Sequence, residues 1–274
     1  STLITIGRST PGLSLTSTTA VNTMNVGGSL SITSTSIPTP PGGTVPSTGS
    51  VSFSVVGIGS GSATIDPSSG LLTALASGQV VVSGVQDADV NYYASTVGTL
   101  TITIGAGPQT LTFASSSYAL VVEQTATITA TNNVSGGGTI TYSVSAGSGS
   151  ATVNSITGQV TATGAGTVTL TAQAAANSNY NAASTSTLLV IGRSTPTLQI
   201  SFPTVMNVGD ITTAITHNFA QYSSGGAVTF SITLGNGLSA SVDPTTGSIT
   251  ATRAGVVTLV AQSAGDTNYN PSIT

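Results

Sequence analysis

The residues best suited to chemistry in this sequence are three oxygen-bearing side chains at alternate positions, Asp87, Asp89 and Asn91. Calcium ions bound at joints between domains take oxygen ligands of this kind. The equivalent positions later in the chain carry fewer carboxylates, and the glycine and distal glutamate of a full calcium loop are missing. Asp and Asn also hold tight turns. A solvated turn is therefore the favoured interpretation, and a calcium site is the alternative.

Catalytic chemistry finds little support elsewhere in the chain. The single histidine, His217, has no second histidine or carboxylate cluster near it in sequence, so we interpret it as an ordinary surface residue. Asp66-Pro67 and Asp243-Pro244 are each followed by a glycine and indicate turns between strands. The lack of Cys and Lys removes thiol nucleophiles, thiolate zinc sites and Schiff-base chemistry. We therefore predict that the chain is not an enzyme and uses no cofactor.

Charge is scarce, with 4% charged residues against about 25% in ordinary soluble proteins. With three basic residues and a net charge of −4, the chain has no basic surface for nucleic acid. No apolar run approaches the roughly 18 residues that a membrane span needs. A hydroxyl-rich surface of low charge is poorly protected against self-association. Such a surface favours assembly, and glycans would suit it equally well, with Asn133 heading one Asn-Val-Ser sequon.

Three sequence repeats organise the chain. The dipeptide Asn-Tyr begins at positions 91, 179 and 268, at intervals of 88 and 89 residues, and the segment 62–70 returns in variant form at 150–158 and 239–247. The first repeat is about nine residues longer, through a proline-rich segment at 34–50 that we predict to be a surface loop. The predicted domains are 9–105, 106–193 and 194–274. Residues 1–8 are predicted to be the closing strand of the preceding unit's third domain.

Within each repeat, apolar and hydroxyl residues alternate at period 2, as at 100–104, 127–130 and 168–172. The β-branched residues favour a pleated surface, and no segment has helical periodicity. About seven such strands per repeat are typical of an immunoglobulin-like sandwich. Without a Cys pair or Trp, each core must consist of aliphatic residues and a few aromatics. The candidates are Val51, Phe53 and Val55, then Ile140, Tyr142 and Val144, then Val228, Phe230 and Ile232.

The second repeat carries the fullest set of motifs. Thr-Ile-Thr-Tyr-Ser-Val at 139–144 is followed by Ser-Ala-Thr-Val-Asn at 150–154 and Thr-Gly-Gln-Val-Thr-Ala at 157–162. A turn of small residues at 164–167 then leads into the Thr-rich strand 168–172. This order resembles the bacterial immunoglobulin-like domains, especially the group 2 type that occurs in tandem in large surface proteins. The resemblance covers all three repeats and implies an extracellular or cell-surface location and a mechanical role, without specifying a ligand.

The two ends of the sequence together match one internal segment, 179–196, which contains a closing strand and a joint. The chain is therefore expected to be one period of a longer array, either an excerpt or a processed product. Leu3, Ile4 and Ile6 are predicted to pair with the third domain of a neighbouring unit, where Tyr269 and Ile273 lie. A covalent tandem array and insertion of the strand from a separate subunit would both achieve this. The seamless match in length favours the covalent array.

The leading hypothesis is an all-β structural unit of an extracellular fibre or adhesin stalk, made of three tandem immunoglobulin-like domains. Its partners would be copies of itself, joined head to tail, and lateral bundling is left open. The alternative is an extracellular adhesin module that binds a carbohydrate or receptor, but sparse aromatics leave few platforms for sugars. Tyr92, Tyr180 and Tyr269 are instead predicted to pack at domain ends and to bond through their hydroxyls.

Overall fold

The structure is a computed structural model of the chain, and it describes residues 1–38, 45–218, 226–234 and 239–274. The described residues form strands and connecting segments without any helix, so the all-β class is confirmed. Among these residues there is accordingly no helix of the length and hydropathy that a membrane crossing requires.

Contacts between Cα atoms divide the chain into two compact units. Compact unit 1 comprises Ser1–Leu111, Asn132–Thr139 and Ala174–Ala183. Compact unit 2 comprises Thr112–Thr131, Ile140–Gln173 and Ser184–Thr274. The domain boundaries derived from the sequence repeats stay a prediction. The names first, second and third repeat below refer to residues 9–105, 106–193 and 194–274.

The described residues of the first repeat form eight strands, which are β1 Gly12–Ser17, β2 Thr23–Asn25, β3 Ser29–Ile37, β4 Val51–Ile58, β5 Ser62–Ile65, β6 Leu71–Ala76, β7 Gly78–Gln86 and β8 Gly98–Gly105. One sheet has the order β1-β3-β6-β5 and the other β2-β8-β7-β4. Strand β2 runs parallel to β8, and β7 runs antiparallel to both β4 and β8. Four strands in the order A-B-E-D facing a sheet with the order G-F-C define an immunoglobulin-like sandwich.

The alternation of β7 and β8 produces the core of the first repeat. Val80, Val82, Ile102 and Ile104 are at most 2% exposed, while Thr103, between the two isoleucines, is exposed. Burial of one such side chain contributes roughly 1.5–3 kcal/mol. Phe53 is also buried, and its predicted companions on β4 pack against the same cluster. The predicted core of this repeat is thus confirmed.

The proline-rich segment 34–50 was wrongly predicted to be a loop at its start. Strand β3 continues to Ile37, because Thr35 and Ile37 pair with Ser14 and Gly12 on β1. Residues 45–50 lie outside any strand. Residues 39–44 of the predicted loop lie outside the described residues.

The second repeat contains nine strands, which are β9 Leu111–Phe113, β10 Ser117–Val121, β11 Thr125–Thr127, β12 Ala130–Asn132, β13 Ile140–Ala146, β14 Ser150–Val153, β15 Gln159–Gly164, β16 Gly166–Ala174 and β17 Ala183–Gly192. Their orders are β10-β17-β16-β13, β11-β15-β14 and β12-β9. The single strand predicted over 127–130 is divided, because pairing changes there from β15 to β9. The strand predicted at 168–172 lies within β16, and Tyr142 is buried as predicted.

Within the described part of the third repeat there are eight strands, which are β18 Leu198–Ser201, β19 Ile211–Thr213, β20 Ile215–Asn218, β21 Val228–Leu234, β22 Ala240–Val242, β23 Ser248–Ala251, β24 Thr258–Ser263 and β25 Ser272–Ile273. Phe230 is buried in the core, with Val228 and Ile232 packed against it as predicted. Strand β25 is two residues long, whereas β8 and β17 have eight and ten. The partner strand is shorter as well, since β24 has six residues and β7 and β16 have nine each.

Candidate assembly site

Asp87, Asp89 and Asn91, the calcium candidates, lie at a turn that the side chain of Asp89 stabilises. The Oδ1 atom of Asp89 accepts the N–H groups of Asn91 and Tyr92, both at 2.8 Å. Asn177 and Asp266 hold the corresponding turns of the other repeats in the same way. An amide oxygen can replace the carboxylate here because the turn needs one acceptor only. The predicted turn is confirmed.

The second oxygen of Asp89 is bound by the loop that precedes β4. Its Oδ2 accepts the N–H of Thr48 at 2.6 Å and the hydroxyl of Ser47 at 3.0 Å. These donors, the Thr48 N–H above all, hold the pKa of Asp89 far below its usual value. Asp87 accepts the hydroxyl of Ser50 at 2.6 Å. Within the described ranges, no group of three or more His, Cys, Asp or Glu side chains could hold a metal ion.

The other polar candidates lie at separate places. Asp66 accepts the N–H groups of Ser68 and Ser69, and Asp243 forms the same turn, so both are turn residues as predicted. His217 lies on β20, opposite Gln199 of β18. Asn133 of the sequon is exposed, and its Oδ1 accepts the N–H of Thr110 at 2.7 Å.

The segment that enters each repeat is fastened to the Asn-Tyr turn of the same repeat. Gly107 donates to the carbonyl of Asn179 at 2.8 Å and accepts the N–H of Asn181 at 2.9 Å. Ser194 makes the same two bonds with Asn268 and Asn270, at 3.0 and 2.8 Å. Each Asn-Tyr turn is therefore fixed relative to the strand that precedes its repeat.

The first repeat has one of these two backbone bonds, and an arginine adds further contacts. Ser9 accepts the N–H of Tyr93 at 2.9 Å. The guanidinium of Arg8 donates to the backbone carbonyls of Asp89 and Tyr92, and it stacks 4.9 Å from the centre of the Tyr93 ring. Charged donors and cation–π contacts each strengthen such an attachment.

The asparagine of the Asn-Tyr pair contacts the preceding repeat. In compact unit 1, Oδ1 of Asn179 accepts the N–H of Ser77 at 2.9 Å, and the Ser77 hydroxyl donates to the carbonyl of Ser178 at 2.6 Å. In compact unit 2, Oδ1 of Asn268 accepts the N–H of Ala165 at 2.9 Å. Ser77 and Ala165 occupy equivalent turns, directly before β7 and β16. The sequence pattern identified the asparagines as repeat markers and missed this role.

In the second and third repeats, the tyrosine that follows lies beside the same preceding repeat, with Tyr180 partly buried and Tyr269 buried. Tyr269 is 2% exposed and donates to Oε1 of Glu123 at 2.6 Å. Tyr180 packs against the core of the first repeat, and Tyr92 donates to the carbonyl of Val45. The predicted hydroxyl bonds are thus confirmed for Tyr92 and Tyr269. Tyr269, assigned from the sequence to the joint between units, is engaged within its own chain.

The third repeat has an open cleft of about 400 Å³ with both apolar and polar residues in its walls. Residues along it include Met206, Ile249, Val257 and Leu259. In the first repeat, the position that corresponds to this cleft is occupied by β8, which lies between β2 and β7. Val208, beside the cleft, is 62% exposed, whereas its counterparts Val26 and Val122 are 5% and 3% exposed. The third repeat therefore exposes at this edge the kind of surface that the other two bury.

The first seven residues have the sequence of a strand that could fill such a cleft. Ile-Thr-Ile-Gly occurs at 4–7 and again at 102–105, which is the C-terminal half of β8. Leu3, Ile4 and Ile6 are 93%, 80% and 92% exposed, and residues 1–7 form no strand. Ile273, on β25, is 67% exposed. The match of the chain ends to 179–196 does not by itself reveal this four-residue identity with β8.

Comparison with family models and with curated protein sequences gives no match. Among solved structures, Drosophila N-cadherin EC1-3 is similar at 12% identity and a TM-score of 0.28, over 84% of this chain and 88% of that one. Domains 1–6 of the surface layer protein SbsC match at 15% identity and 0.28, over 98% and 40%. A C-terminal fragment of intimin, solved with the intimin-binding domain of its translocated receptor, matches at 17% and 0.26, over 68% and 65%. Similarity at this level assigns neither a family nor a function, and the immunoglobulin-like fold follows from the strand order itself.

Proposed function

We propose that the chain is a structural repeating unit of an extracellular fibre or adhesin stalk, joined head to tail. The observation that carries the proposal is the open cleft of the third repeat. An exposed segment, Ile-Thr-Ile-Gly at 4–7, has the sequence of the strand that occupies the same place in the first repeat. The scarcity of charge supports assembly as well, since little repulsion opposes contact between copies.

The pairing of β7 with β8 gives the expected geometry of the joint. Ile102 lies opposite Val80, and Ile104 lies opposite Gly78. In the third repeat, the equivalents of Val80 and Gly78 are Val257 and Gly255. Ile4 of a second copy would thus lie opposite Val257, and Ile6 opposite Gly255. Because side chains alternate along a strand, Ile4 and Ile6 would enter the cleft, and Leu3 would face away from it.

Insertion would bury two isoleucine side chains, each contributing roughly 1.5–3 kcal/mol. It would also pair an open strand edge that otherwise favours aggregation. A covalent tandem array and insertion from a separate copy give the same contacts. They differ in the free-energy cost of association, because separate copies lose translational and rotational freedom that a covalent array has already lost.

Sedimentation velocity of the 274-residue chain over a range of concentrations tests the joint. We expect the wild-type chain to form concentration-dependent oligomers and Ile4→Ser with Ile6→Ser to remain monomeric. Leu3→Ser is the matched control, because it removes an equally exposed apolar residue that faces away from the cleft, and it should assemble normally. Equal assembly by the double variant, or none by the wild type, would contradict insertion of residues 4–7.

Denaturing electrophoresis of the native assembled material separates the two modes of joining. A single band at 26.6 kDa, the mass of this chain, indicates insertion between separate copies. Species of much larger mass indicate a covalent array. Electron micrographs showing no filament or stalk would contradict the structural function itself.

A further inference from the structure

Two hydrogen bonds in the chain are instances of one contact, which we name the asparagine clamp. In it, the Oδ1 atom of the asparagine of an Asn-Tyr pair accepts a backbone N–H of the preceding repeat. The donor is the residue directly before a glycine, and that glycine is the first residue of a strand. Asn179 and Ser77 form one clamp, and Asn268 and Ala165 form the other, both at 2.9 Å. The contact therefore recurs at equivalent positions of successive repeats and at the same length.

The acceptor asparagine and the N–H donor are the two halves of the clamp. Each half occurs once more in the chain, the acceptor in the first repeat and the donor in the third. Asn91 is the equivalent asparagine of the first repeat, and Ala254, which precedes Gly255, is the equivalent N–H donor of the third. Both residues are exposed. Across the described ranges, neither the side chain of Asn91 nor the N–H of Ala254 forms a hydrogen bond. The remaining halves are thus complementary between two copies of the chain.

Charge distinguishes this pair of halves from the two internal clamps. Arg253 stands where the other repeats have Ala76 and Gly164. A Cβ atom built on Gly164 would lie 3.6 Å from Oδ1 of Asn268, so this position borders the clamp. On the opposite half, Asp87 stands where the other repeats have Ala175 and Ala264, and Asp89 stands where they have Asn177 and Asp266. Opposite charges that face each other in this way favour the correct partner.

The asparagine and the candidate inserting strand belong to one fastened structure. Arg8 directly follows residues 4–7 and donates to the carbonyls of Asp89 and Tyr92, on either side of Asn91. Ser9 is bonded to Tyr93. An inserted strand would therefore carry Asn91 with it, and the second contact would form at a high effective concentration.

We propose that a second copy of this chain binds the exposed end of the third repeat through two contacts. One is the strand at 4–7, so the inference rests on the proposed function. The other is an asparagine clamp between Asn91 of one copy and the N–H of Ala254 of the other, flanked by Arg253 opposite Asp87 and Asp89.

Sedimentation of the full chain with Asn91→Ala and Arg253→Ser tests the clamp. Asn91→Ala should raise the Kd of association about tenfold, the scale of one hydrogen bond shielded from water. Arg253→Ser should raise the Kd at low salt and reduce its dependence on salt, because it removes the facing charge. Asn25→Ala is the matched control, since it truncates another exposed asparagine of the first repeat, and its Kd should equal that of the wild type.

The outcomes separate the clamp from the strand. If Ile4→Ser with Ile6→Ser abolishes association while Asn91→Ala and Arg253→Ser behave as wild type, the clamp is overturned and the proposed function stands. If the wild-type chain does not associate, both are overturned. At a concentration at which the wild-type chain is monomeric, the melting temperature of Asn91→Ala should match that of the wild type. A clear decrease there would assign Asn91 to its own repeat and overturn the clamp.

Discussion

The phenolic oxygen of Tyr269 donates a 2.6 Å hydrogen bond to Oε1 of Glu123, across 146 residues of sequence. Glu123 has a φ of +70°, a conformation that Gly27 and Gly209 adopt at the equivalent turns, with φ of +82° and +94°. A side chain in this region costs roughly 1–2 kcal/mol. The second repeat thus bears backbone strain at the residue that binds the tyrosine of the third.

A double-mutant cycle on these two residues tests whether the strain is offset by the hydrogen bond. Tyr269→Phe should lower the free energy of unfolding by about 1–2 kcal/mol, because a partly buried carboxylate loses a donor. In a Glu123→Gly background the same change should cost only a few tenths of a kcal/mol. Urea denaturation of the four proteins measures both. Equal costs in the two backgrounds would show that the Tyr269 hydroxyl stabilises the chain independently of Glu123.

The asparagine clamps predict site-specific changes in amide exchange. Asn179→Ala removes the acceptor of the Ser77 N–H, so the Ser77 amide should exchange faster while the Ala165 amide is unaffected. Asn268→Ala should have the opposite pattern. Each variant is the control for the other in a hydrogen-exchange measurement by NMR. Faster exchange at both amides in either variant would point to general loosening.

Gly136 and Gly158 have the same φ of +70°. Replacing each with alanine distinguishes the cost of a steric clash from the cost of the backbone conformation. A Cβ on Gly158 would lie 2.5 Å from the carbonyl oxygen of Ile128, whereas a Cβ on Gly136 would have no atom within 4 Å. Gly136→Ala should therefore cost about 1–2 kcal/mol, the price of the backbone conformation. Gly158→Ala should cost at least about 1 kcal/mol more, because the backbone at Ile128, between β11 and β12, must move. Similar melting temperatures for the two variants would contradict the steric assignment.

Acid should destabilise the chain through its turn carboxylates. The N–H donors of their turns lower the pKa values of Asp66 and Asp243, as the Thr48 N–H chiefly does for Asp89, from an ordinary value of 3.8. A group whose pKa is lower in the folded state adds stability above its unfolded value, and this stability is lost as the pH falls through the folded value. The melting temperature should therefore fall as the pH drops below 3.8.

Asp89→Asn isolates one of these groups, because the second repeat already holds the same turn with Asn177. The variant keeps the Oδ1 acceptor and removes the titration. Its melting temperature should decline less steeply with acid than that of the wild type in a series of thermal melts. An unchanged slope would show that Asp89 has little part in acid unfolding.

Local properties of the chain followed from the order of its residues. Alternation at period 2 predicted strands such as β8 and β16, since each apolar residue of a half-buried strand must face the core. Phe53, Tyr142 and Phe230 were predicted as core aromatics for the same reason, and each is at most 7% exposed. The turns at Asp66 and Asp243 followed from short-range bonding that needs no other part of the fold.

Contacts between distant turns could be decided only by the tertiary structure. Linear spacing does not tell which turn of one repeat meets the Asn-Tyr pair of the next, so the bonds from Asn179 to Ser77 and from Tyr269 to Glu123 had no signal beyond the recurrence of the dipeptide. The division of the strand at 127–130 depended on a change of partner from β15 to β9. The sequence by itself determined the strands, the cores and the repeat. The packing of sheets brought the turns together, because side chains far apart in sequence meet only once the backbone between them is folded.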